Sequence, residues 1–163
     1  MTIARRPTIP FAQWKLAVDL KATRKLQNQA GMPAFGCACD VCADWKKLYK
    51  KIIPGQMSEQ LNRIGVDQQH PTDIYAFMES ENDRAIRVLF HFIGKILSGP
   101  GAQTFCNKVH GQIMNYVPQG YENFFSIMVL PANQSFETAP RRSDGSHDQV
   151  VCIDMRLMYS LPQ

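Results

Sequence analysis

Three of the five cysteines, Cys37, Cys39 and Cys42, fall within the six-residue run Cys37-Ala38-Cys39-Asp40-Val41-Cys42. Thiols at this density hold a metal ion, exchange electrons as a dithiol, or stay reduced and inert. Soft thiolates select zinc, and a structural zinc site takes four ligands in a tetrahedron. The run supplies three ligands from one turn, so the fourth must come from elsewhere, with His70, His91, Cys106 and His110 as candidates. Cys106 and His110 stand at i and i+4 and would share a face if their segment were helical. The dithiol reading rests on Cys39-Asp40-Val41-Cys42, a C-x-x-C whose first thiol would sit at a helix N-terminus, where thiolate is stabilised. No strand immediately precedes that motif, as one does in thioredoxin-like proteins. In the inert reading all three are ordinary reduced cysteines, and Cys42 is a core residue.

The elements around the run decide how these thiols are held. Trp45, Leu48, Tyr49 and Ile52 recur at i, i+3, i+4 and i+7, which predicts a helix over 41–53 with one apolar stripe. Cys42 shares that stripe, whereas Lys46, Lys47, Lys50 and Lys51 lie on the other side. Cys39 or Asp40 falls at the N-cap, Asp44 suits the first turn, and Pro54-Gly55 stops the helix. A second helix is predicted over 57–64, with Gly65 in the left-handed position after it. A third is predicted from Pro71-Thr72-Asp73 through Met78.

Before the cysteines, residues 1–10 read as an extended lead-in and 11–20 as a first strand, with a helix as the competing reading. Residues 22–35 read as a polar connecting loop. After the helices, 84–97 alternates with large apolar residues on both sides, predicting a central strand covered on both faces. Gly94 marks a bulge or the close approach of another backbone. Residues 104–116 read as a helix or an irregular excursion, and 121–130 and 150–159 as an antiparallel strand pair. The connection between that pair, 131–149, is long and polar and carries Arg141-Arg142; connections of that length are usually functional or mobile. Together these segments predict an α+β fold: an antiparallel β-sheet with short helices packed on it, in a single compact domain over 1–163.

Composition narrows the function classes. A 45% hydrophobic and 20% charged chain of 163 residues is that of a globular protein rather than a disordered one. There is no apolar run of about 18 residues and no signal-type start, so the expected setting is the cytoplasm, away from membranes, where thiols stay reduced. Residues 1–51 hold ten lysines and arginines against three aspartates, a net +7. That basic third suits an anionic protein or nucleic-acid partner, contacted through Lys46, Lys47, Lys50, Lys51, Arg141 and Arg142. No G-x-S-x-G, P-loop, H-E-x-x-H or dinucleotide motif is present, so no catalytic residue or cofactor other than zinc is nominated. The resulting expectation is a non-enzymatic interaction protein with a structural zinc-cysteine cluster. The alternative is a thiol oxidoreductase or metal-dependent hydrolase using the same cysteines.

Three features together carry a resemblance: Cys37/Cys39/Cys42 entering a helix with Trp45, the segment Leu61-Asn62-Arg63-Ile64-Gly65-Val66-Asp67 before Pro71, and Phe90-His91-Phe92-Ile93-Gly94. In these the chain resembles a group of small uncharacterised bacterial and phage-associated proteins, over about residues 37–94. It departs from them in having Asp44-Trp45 where they often carry Asn-Phe. The resemblance implies that the three cysteines and His91 act together. A phage or mobile-element inhibitor of a host system would fit this size and style.

Overall fold

The computed structural model of the protein describes residues 6–27, 36–121, 125–135, 139–146 and 148–163. In chain order these form β1 (Thr8–Phe11), β2 (Trp14–Val18), α1 (Leu20–Gln27), α2 (Asp40–Ile52), α3 (Gly55–Arg63), β3 (Asp73–Glu79), β4 (Asp83–Ser98), β5 (Gln103–Cys106), β6 (Gly111–Met114), β7 (Val117–Pro118), β8 (Ser126–Pro131) and β9 (Val150–Ser160). The main sheet is antiparallel in the order β1-β2-β4-β9-β8-β7, with β3 also paired to β4. β5 and β6 form a separate hairpin. The fold is α+β, as the sequence predicts. No helix among the described residues is long and apolar enough to cross a membrane.

β4 is the axis of the sheet, and its alternation explains the layers. Ile86, Val88, Phe90 and Phe92 point into the main core with Trp45 of α2 and Met57 and Leu61 of α3. Leu89 and Ile93 point to the opposite face. There Leu89 packs with Met128, Leu130 and Cys152, and Ile93 packs with Leu26 of α1, Ala139 and Val150. The strand is buried on both faces, as its sequence suggests. The Gly94 reading also holds as a close approach: a Cβ there would collide with the Ala17 carbonyl oxygen of β2.

One edge of β4 is shared by two short strands. β3 pairs with it up to Leu89, and β2 begins only at Gly94. The gap is filled by α1, which follows β2 directly. The Ile93 N–H donates to Thr23 Oγ1 (2.9 Å), and Gln27 Nε2 donates to the His91 carbonyl (2.6 Å). Thr23 and Gln27 are one helical turn apart and buried at 0% and 4% exposure, because their polar atoms complete the ladder. Residues 22–27 are therefore helix rather than the loop expected. With polar residues on its buried face, the helix lacks the apolar period that would announce it. The rest of that expected loop, residues 28–35, lies outside the described residues.

Two further expectations are corrected. Residues 73–79 form strand β3 instead of a Pro-started helix. Ile74 and Ala76 face the main core while Tyr75 lies on the other face, and pairing with β4 outweighs the local helical spacing. Residues 103–114 form a hairpin rather than a helix or an irregular excursion, with Cys106 opposite Gly111 and His110 in the turn at φ 47°. The pair β8–β9 is antiparallel as expected. Of the 131–149 connection, Pro131 closes β8, Ala132–Gln134 forms a 3-10 turn, and Ala132 and Ala139 are buried.

Candidate metal centre

The cysteine run lies where the chain enters α2. Cys39 is the N-cap of the helix, with extended φ/ψ of −67° and 160°, and its Sγ accepts a hydrogen bond from the Cys42 N–H at 3.5 Å. The sulfur thus does the work that a Ser or Asp oxygen does at most N-caps. Cys42, one turn in, points into the core beside Trp45 and is 4% exposed. Cys37 is partly buried against the same core, and Cys39 is exposed. The three sulfurs lie within 4.8 Å of one another, close enough to hold one metal ion.

Their protonation is unequal. Cys39 is held below the ordinary thiol range, chiefly by the Cys42 backbone N–H and then by the Cys37 side chain. Burial pushes the Cys42 thiol up to about 12, with the neighbouring Cys39 and Cys37 adding to the effect. Toward a cation, the exposed helix-cap sulfur would be the readier ligand, and the core sulfur would give up its proton only in exchange for one.

The frame that holds α2 against the sheet is partly polar. Trp45 Nε1 donates to the Gln68 carbonyl (2.8 Å), and its ring stands 6.4 Å from that of Phe90. Gln68 is itself fixed by Ser58 (2.7 Å) and Asn62 (2.7 Å) of α3. The acid in the first turn of α2 is Asp40 rather than Asp44; two residues past Cys42, just beyond that turn, Asp44 Oδ2 accepts from Arg84 Nη1 (2.8 Å) and from the Tyr159 hydroxyl (3.0 Å). Arg84 is 8% exposed and also reaches Glu79 Oε1 (2.6 Å), so one guanidinium ties this part of α2 to β3 and β9. The sequence reading gave Asp44 only a helix-dipole role. Its partners are 40 and 115 residues away, and no local pattern signals them.

The four candidate fourth ligands lie elsewhere, and none joins the cysteine group among the described residues. His91 is fully buried on β4 with Nδ1 2.8 Å from Thr72 Oγ1. Its neighbour Phe90 faces Trp45, so strand alternation turns His91 to the face opposite α2. His91 is therefore not among the residues brought together with the three cysteines. His70 pairs with Asp67 at 2.7 Å. Cys106 and His110 sit on the β5–β6 hairpin, where the i, i+4 argument no longer applies.

Lys46, Lys47, Lys50 and Lys51 are all exposed on α2. Arg141 is exposed and Arg142 half-buried; they donate to the carbonyls of Gly145 (3.1 Å) and Asp148 (3.3 Å). This turn follows Ala139, which packs on the face of the sheet away from α2, so the two basic groups lie on opposite sides of the sheet. A second buried ion pair also escaped the sequence reading. Asp154, fully buried on β9, is held by Arg87 and by the Tyr116 hydroxyl at 2.9 Å, tying the segment after β6 to the sheet.

No protein-family model, curated protein or solved structure matches the chain.

Proposed function

We propose that the protein is a non-enzymatic zinc-binding interaction protein, with Cys37, Cys39 and Cys42 clasping one ion at the entrance to α2. The observation that carries this reading is the proximity of the three sulfurs at a helix N-cap, within 4.8 Å of one another. Tetrahedral zinc with bonds of about 2.3 Å sets its sulfurs roughly 3.8 Å apart, so only a slight contraction is needed. An iron–sulfur cluster spreads its cysteines over several irons and suits so tight a group less well. The α2 lysines then form an exposed cationic face beside the clasp, suited to a polyanion such as nucleic acid. Zinc titration of the purified protein tests the site: one equivalent bound with proton release is expected, and no binding by the reduced protein contradicts it. For the partner, affinity for a DNA duplex that falls steeply with salt and drops when the four lysines become glutamine is expected; no affinity at low salt contradicts it.

One observation favours a second reading, a thiol oxidoreductase. Cys39 is exposed and Cys42 buried in a C-x-x-C, the asymmetry of an attacking and a resolving thiol. Turnover of a test disulfide that vanishes in Cys39→Ser would favour it over the zinc clasp.

A further inference from the structure

α1 brings a second group of cations to the face of the sheet away from the cysteines. Lys21 and Lys25, one helical turn apart, and Arg142 from the loop after Ala139 line an open cavity of about 260 Å³. Buried Leu26 and Ile93 also line it, giving an aliphatic surface between the cations. The cavity holds one carboxylate, Asp19, which is already engaged. Its Oδ1 accepts the Ala22 N–H at 2.9 Å in the first turn of α1, and its Oδ2 lies 3.9 Å from the Arg6 guanidinium. Asp144, on the same turn as Arg142, is exposed and accepts the Ser146 N–H at 2.9 Å. Among the described residues Lys21, Lys25 and Arg142 form no ion pair within 4.0 Å.

Three cations around an aliphatic patch select a ligand with an anionic head and a flat or apolar body. The planar guanidinium of Arg142 and two mobile ammonium groups match the tetrahedral oxygens of a phosphate better than a single carboxylate. The cavity is smaller than the roughly 300–1,000 Å³ of drug-sized sites, which limits the body to about one nucleotide unit. We propose that this cavity binds a phosphomonoester of nucleotide size, its phosphate between Lys21, Lys25 and Arg142 and its body over Leu26 and Ile93. The site is separate from the cysteine clasp and does not depend on a metal there.

Calorimetric titration of the full-length protein with AMP, adenosine and inorganic phosphate tests the assignment. Saturable AMP binding is expected, with inorganic phosphate weaker and adenosine without measurable affinity. Lys25→Gln and Arg142→Gln should each weaken AMP about tenfold, the effect of losing one charge-assisted contact. Lys46→Gln/Lys47→Gln on α2, which also lowers the net charge by two, should leave AMP affinity unchanged. A ten-nucleotide single strand carrying a 5′-phosphate that displaces AMP would show that the monoester can be a nucleic-acid end, and failure to displace it would show a free nucleotide; either result keeps the pocket, whereas equal displacement by the strand lacking the 5′-phosphate overturns the monoester assignment. No AMP binding at 10 mM (about tenfold above a millimolar dissociation constant), or equal loss in the α2 variant, overturns the proposal.

Discussion

Cys39 Sγ accepts the backbone N–H of Cys42 at 3.5 Å, so a thiol placed to bind metal is also the cap of the helix that buries its neighbour. In the proposed site, ligation and helix initiation would therefore share an atom. Removing the sulfur affects both, and the two effects separate by choice of substitution. Cys39→Ser keeps a good capping oxygen and should leave the metal-free protein within about 0.5 kcal/mol of wild type while weakening metal binding. Cys39→Ala should lose about 1 kcal/mol of metal-free stability as well. Urea unfolding of both variants, with and without zinc, checks the pair.

Thiol reactivity should follow the unequal protonation of the cluster. Cys39, held below the ordinary thiol range, gains thiolate at lower pH than a free cysteine does. Cys42, pushed up to about 12 by burial, stays protonated across the physiological range. In metal-free protein, iodoacetamide should label Cys39 first, with a rate that levels off below the pH expected of an ordinary thiol. Cys42 should remain unlabelled at pH 8. Mass spectrometry of peptides quenched at intervals from pH 5 to 10 reads both, and faster labelling of Cys42 would contradict the burial argument.

Asp44 should matter through its long-range partners rather than through the helix dipole. Asp44→Ala removes the carboxylate that meets both Arg84 and the Tyr159 hydroxyl, and it leaves Arg84 dependent on Glu79, whose side chain is half-exposed, and on the Tyr159 hydroxyl (3.1 Å). A loss of about 1–3 kcal/mol is expected. Tyr159→Phe removes one hydroxyl from the same network and should cost less. Thermal unfolding of the two variants and of the double variant would show coupling, because the residues share a partner.

Gly94→Ala should be among the more damaging small substitutions in the chain. The added methyl would strike the Ala17 carbonyl oxygen, forcing β2 away from β4. β2 leads directly into α1, whose Thr23 and Gln27 complete the β4 edge, so the disturbance should reach those bonds. Amide exchange at Ile93, whose N–H is held by Thr23 Oγ1, should accelerate in this variant relative to amides in β9.

What the sequence reveals and conceals follows from the range of each interaction. α2 was legible because its apolar period and its Pro54-Gly55 stop are local, and the core strands β4 and β9 because their alternation is strong. α1 was hidden since its buried face is built from Thr23 and Gln27, polar residues whose partners lie some 70 and 64 positions away. β3 was misread because Ile74, Phe77 and Met78 satisfy a helical spacing that pairing with β4 overrides. The cysteine cluster was visible as composition and its helix-cap position as pattern. Its frame of Asp44, Arg84 and Tyr159 was not, since charge pairs between distant segments leave no mark on either one. His91 qualifies as a fourth ligand by residue type alone, and only the facing of Phe90 toward Trp45 shows that histidine to lie on the other side of the sheet.

The central claim is that Cys37, Cys39 and Cys42 hold one metal ion. Metal analysis of protein purified under reducing conditions without added metal, alongside thiol titration before and after chelation, tests it most directly. Close to one equivalent of zinc is expected, with Cys37 and Cys39 becoming reactive only on chelation, Cys42 staying shielded by its burial, and the metal lost in Cys37→Ser and Cys42→Ser. Less than about a tenth of an equivalent, with Cys37 and Cys39 titrating freely from the start, would contradict it.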